Sequence, residues 1–76
     1  MLQDTPEIYV IRVAGRPSAR LTTESWAARS EPEKDETILT GQFVDQSDIL
    51  GLLTALVLAG HVLLSVENLG SGEPTE

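Results

Sequence analysis

Strand-like and helix-like periodicities follow one another along the 76 residues as strand, short helix, strand, strand, long helix, strand. That order predicts an α+β fold, a ferredoxin-like βαββαβ sandwich with a short first helix and both helices on one face of a four-stranded antiparallel sheet. Three observations carry the prediction. Ile49, Leu52, Leu53, Leu56 and Val57 recur at i, i+3, i+4, i+7 and i+8, which lays an apolar stripe along a helix. Residues 7–14, EIYVIRVA, are dense in β-branched side chains and carry apolar residues on both faces, as a central strand does. Residues 37–44, TILTGQFV, alternate Leu39 and Phe43 against Ile38, Thr40 and Gln42.

Taken in order, residues 1–6 read as a disordered N-terminus, 7–68 as a single domain and 69–76 as a disordered acidic tail. In the first strand Tyr9, Ile11 and Val13 share one face and Ile8, Val10 and Arg12 the other. Gly15 ends it. Gly15-Arg16-Pro17-Ser18 is a turn from which a short helix runs to about Glu24, weakened by Thr22 and Thr23. Trp26 begins an edge strand, SWAARSEP, and the charged run Glu31–Glu36 reads as an exposed hairpin loop. Gly41, inside the next strand, marks a bulge or a close approach of the helix. The long helix opens at Asp45, whose carboxylate accepts from the first-turn amides, and closes at Gly60. In the last strand Val62, Leu64 and Val66 point one way, and Leu63, Ser65 and Glu67 the other.

The back of the long helix is the most informative surface. An ordinary surface helix carries Lys, Glu or Arg there; this one carries Gly51, Thr54, Ala55 and Leu58, with no charge between Asp48 and His61. A helix apolar nearly all round is covered on more than one side. The run from Ile49 to Val66 is about long enough to flag a membrane span, but Gly60 and His61 interrupt it and no Lys or Arg follows. A membrane is therefore not expected. A bare sheet face is the second candidate interface, carrying Ile8, Val10, Arg12, Ile38, Thr40, Gln42, Leu63, Ser65 and Glu67.

Composition narrows the partners. A domain this small buries only about 60% of its unfolded surface, and without cysteines it has neither disulfides nor thiolate metal sites to reinforce it. Oligomerisation is the remaining way to enlarge the core. A net charge of −7 argues against nucleic acid and anionic membranes. Met1–Pro6 lacks the basic start and apolar run of a signal peptide, so a cytoplasmic location is expected.

Residues capable of chemistry are few. His61, the only histidine, follows the helix terminator and reads as a turn or packing residue, since spacing supplies no acid/base partner. Asp45 and Asp48 are explained by helix capping rather than metal binding. Arg12, Arg16 and Arg20 flank a glycine turn and form a weak candidate anion site. Tyr9, Trp26 and Phe43 read as core or interface, and no serine has a base nearby. No catalytic residue, metal ligand or cofactor is expected.

The combination Ser18-Ala19-Arg20-Leu21, Thr37-x-Leu39-x-Gly41, Asp45-Gln46, Leu50-Gly51 and Leu63-Leu64-x-Val66 resembles a family of small uncharacterised bacterial proteins with a TxLxG…DQ…L…LxxV pattern. The resemblance spans about Ile8 to Val66 and implies a compact fold without implying a reaction. In the family it resembles, members usually carry a His before the glycine matched by Gly51 and an Arg-Asp pair near the helix end; here those positions hold Leu50 and the apolar Leu56–Leu58.

The function expected from these readings is a self-associating protein–protein interaction module, a dimer or a complex with another chain. It would use Gly51, Thr54, Ala55 and Leu58 on the helix, or Ile8, Val10, Ile38, Thr40 and Leu63 on the sheet. The alternatives are a dimeric small-ligand sensor, by analogy of fold alone, and a small enzyme using a cavity between sheet and helices.

Overall fold

The computed structural model describes residues 6–24 and 29–71. β-branched side chains build the first strand, β1 (Glu7–Ala14), which turns at Gly15. A π-helical turn (Arg20–Glu24) leads to β2 (Arg29–Glu33), then β3 (Glu36–Phe43), α1 (Gln46–Leu58) and β4 (Leu63–Ser71). The strands form one antiparallel sheet in the order β2-β3-β1-β4, so β1, the most apolar strand, and β3 are central. The architecture is α+β, with a single α-helix among the described residues.

The helical periodicity becomes the core directly. Ile49, Leu52 and Leu56 of α1 are buried against Ile11 and Val13 of β1 and Leu39 and Phe43 of β3, with Tyr9, Leu21, Leu53 and Leu63 packed at the margin. Val57, expected in that stripe, is 54% exposed instead. At 100° per residue it lies about a quarter-turn beyond the buried centre of the helix, on a flank shared with Leu50 and Leu53.

The short first helix is shorter and looser than its sequence suggested. The Leu21 and Thr22 amides both donate to the Ser18 carbonyl, at 3.1 and 3.2 Å, and the Thr22 hydroxyl donates to the same oxygen. Such side-chain competition for backbone acceptors disfavours a regular α-helix. The charged run also differs from expectation: β2 continues to Glu33, and only Lys34 and Asp35 form the turn, Lys34 in the left-handed region at φ 55°. Edge position lets Pro32 and the glutamates stand in a strand, because one side of β2 faces solvent.

Gly41 is not a bulge; β1 and β3 pair without interruption from Glu7↔Phe43 to Ala14↔Glu36. Directly opposite Gly41 stands Tyr9, whose ring meets Phe43 edge-on at 5.9 Å and 74°.

Irregularity sits in β4, where the register with β1 shifts between Arg12 and Val13 and again between Ile8 and Tyr9. The extra residues are Leu64 and Leu69. One inserted residue inverts the facing of what precedes it, so Leu63, expected on the bare sheet face, pairs with Val13 and packs against the helix side. Ser65 and Glu67 keep the expected face, opposite Arg12 and Val10. At the second bulge Asn68 Oδ1 accepts from the Gly70 amide at 2.7 Å, while its Nδ2 donates to Glu7 and to the Tyr9 hydroxyl. β4 thus runs past residue 68, where a disordered tail was expected to begin. Trp26, the start of the expected edge strand, residues 1–5 and residues 72–76 lie outside the described residues.

Asp45 occupies the N-cap position with extended φ and ψ, but its carboxylate makes no capping hydrogen bond; its backbone carbonyl accepts from the Asp48 amide at 3.1 Å. The other end matches expectation. The His61 amide donates to Leu56 and the Gly60 amide to Val57, the paired bonds of a Schellman motif, with Gly60 at φ 93°. A Cβ at Gly60 would meet nothing within 4 Å, so Gly60→Ala isolates the backbone cost. We expect a loss of about 1 kcal/mol in urea denaturation; an unchanged midpoint would show that the left-handed residue does not set this helix end.

Candidate functional site

The surfaces on which this chain can act follow from what one helix leaves uncovered. Along α1, Thr54 is exposed, Gly51 and Ala55 are half-buried, and Leu58 is 81% exposed. Beside them on the flank stand Leu50 and Val57, also exposed. Past the helix, Val62, Leu64, Val66 and Leu69 continue as exposed large apolar side chains down β4. Val66 pairs with the fully buried Ile11 yet remains 45% exposed, because β4 has no neighbour on its far side.

The bare sheet face is better filled than its sequence implied. Ile8, Val10, Ile38 and Thr40 are half-buried by one another across β1 and β3, and Arg12 and Gln42 are exposed beside them. A shallow depression on this face is lined by Ile8, Arg29, Thr40, Gly41 and Gln42. It offers one guanidinium and one amide over an apolar floor.

The arginines do not converge. Arg12 Nη1 donates to Glu36 Oε1 at 2.8 Å across the sheet, an exposed pair worth less than about 1 kcal/mol. Arg16 donates through Nη1 to the carbonyls of Gly15 and Glu36 and to the Thr37 hydroxyl, and through Nη2 to the Lys34 carbonyl. The Gly15 amide takes the remaining carbonyl of the turn, that of Asp35, at 2.8 Å. Lys34, Asp35 and Glu36 are thus all held by Gly15 and Arg16, and the Arg16 fork faces backbone carbonyls rather than a vacant anion site. Arg20 is exposed on the π-helical turn.

His61 is half-buried next to Gly15, its Nδ1 4.0 Å from the position a Cβ there would occupy. Asp45 and Asp48 are both exposed at the start of α1. Among the described residues no group of three or more His, Cys, Asp or Glu is placed to hold a metal ion, and no helix is long and apolar enough to cross a membrane.

What sequence reasoning missed is the β4 edge. Its signal was present: in Leu63–Ser71 the only charged residue is Glu67, and there is no proline. The opposite edge, Arg29–Glu33, carries three charges and Pro32 in five residues. No curated protein and no solved structure matches the chain. A family model described as a domain of unknown function, DUF8691, matches residues 8–67, from the start of β1 to the middle of β4, and the chain belongs to that family.

Proposed function

We propose that this protein is a self-associating interaction module, built as a ferredoxin-like sandwich whose first helix has shrunk to a single turn. The observation that carries the reading is the number of exposed large apolar side chains on α1, β4 and the turn between them: Leu50, Val57, Leu58, Val62, Leu64 and Val66. A chain of 76 residues with seven buried apolar residues among the described ones gains stability by covering such a surface, since fully burying a Leu or Val is worth about 1.5–3 kcal/mol and these side chains, 45–81% exposed, have roughly half or more of that still to gain. Charge supports a protein partner over nucleic acid, because the net charge is −7. Light scattering or sedimentation across a concentration series tests this. The expected result is a mass that rises toward twice 8.2 kDa at tens of micromolar. A constant 8.2 kDa species up to millimolar concentration would remove the reading.

A further inference from the structure

Resting on that reading, we propose that the partner is a second copy of this chain, and that the two copies join edge to edge through antiparallel pairing of β4 with β4, centred on Val66. The occupant is specified by the edge itself. β4 pairs with β1 on one side only, so its outward amides and carbonyls require another strand to replace water. Of the two sheet edges only this one is suited to receive it: β2 carries Arg29, Glu31, Glu33 and Pro32, whereas β4 has Glu67 alone.

Symmetry and charge then fix the register. The bulges at Leu64 and Leu69 confine regular pairing to Ser65–Asn68. A two-fold axis perpendicular to the sheet keeps the helix sides of both copies together, and it must pass between a residue and its own counterpart. Within Ser65–Asn68 the two central choices are Val66 and Glu67. Centring on Glu67 sets two carboxylates directly opposite each other, which is unfavourable. Centring on Val66 sets Val66 against Val66 on the helix side and Glu67 against Ser65 on the other face.

That register brings opposite charges into one row. Ser65 pairs with Arg12 in its own sheet, so the second copy's Glu67 stands two strands from Arg12, about 9.6 Å between backbones, with only a serine between them. Two long side chains span that gap, with the Arg12 guanidinium shared between Glu36 on β3, which its Nη1 already holds, and the second copy's Glu67. On the helix side the right-handed hand of a β3–α1–β4 crossover puts the Leu50, Leu53 and Val57 flank over β4. The two flanks then approach each other above the Val66 pair and cover the side chains that a single copy leaves exposed.

The test uses the whole chain in three variants. Val66→Lys places a charge on the pairing edge at a position already 45% exposed, and is expected to give a folded monomer by circular dichroism and light scattering. Val66→Cys is the only thiol in the chain, and opposite Cβ atoms in such a pair are about 5 Å apart; mild oxidation is expected to yield a disulfide-linked dimer. Leu58→Glu, on the outer helix face, is expected to stay dimeric. A dimer that persists in Val66→Lys, or that Val66→Cys fails to cross-link, overturns β4 pairing while leaving self-association standing. Loss of the dimer in Leu58→Glu alone overturns it in favour of the outer helix face. A parent chain that is monomeric throughout overturns both this pairing and the function it rests on.

Discussion

Leu52→Ala is expected to unfold a large part of the population at 25 °C, with a loss of about 3–4 kcal/mol. Leu52 is fully buried at the centre of α1, between Ile49 and Leu56 and above the sheet residues Ile11, Val13 and Leu39. Alanine removes three carbons from a core with seven buried apolar residues among the described ones, and the surrounding strands, fixed by their ladders, cannot collapse fully into the space. A chain of this length has roughly 4–11 kcal/mol of stability to lose, and without disulfides it belongs near the lower end. With a denaturant slope near 1 kcal/mol/M for a small domain, the urea midpoint should fall by about 3 M. A fall of less than about 1 M would mean that α1 is not docked through this side chain. Protein concentration must be the same for both chains, because association adds to apparent stability.

Arg16→Ala is expected to cost on the order of 1–2 kcal/mol, concentrated in the β2–β3 hairpin. The guanidinium bridges the Gly15 turn to the carbonyls of Lys34 and Glu36 and to Thr37. Lys34 holds a left-handed conformation that a side chain disfavours, so the turn depends on this external clamp more than an Asn-Gly turn would. Arg16→Lys should not restore stability, because an ammonium cannot present a planar fork to two carbonyls at once. Hydrogen exchange provides the local readout: amides of Arg29–Glu33 should exchange faster in both variants while those at the β1–β3 pairing keep their protection. Uniform loss across the sheet would show that Arg16 supports the whole fold and not the hairpin.

Much of this architecture can be read from spacing because spacing is what places side chains on faces. Ile11 and Val13, Leu39 and Phe43, and Ile49, Leu52 and Leu56 were assigned to the core by period alone, and all are buried. Period fails where the backbone inserts a residue. Leu63 was assigned to the wrong face because nothing in LLSVENL signals the bulges at Leu64 and Leu69, which arise from pairing with β1. It fails again at the Glu31–Glu36 run, where charge suggested a loop and edge position allowed a strand. Arg12, Arg16 and Arg20 looked like a cluster because they are close in sequence. The acceptors that separate Arg12 from Arg16, a carboxylate on β3 for the first and two carbonyls of a distant turn for the second, are visible only once the sheet is assembled.

The unequal rims of the sheet limit how far assembly can go. Pro32 has no amide hydrogen to offer and Glu31 and Glu33 repel any acidic strand, so under the proposed β4 pairing lateral growth would stop after two chains instead of propagating. The same residues that make β2 a poor docking strand would then also oppose fibre formation. If the proposed pair forms, replacing them with neutral β-formers is expected to open it to further lateral growth.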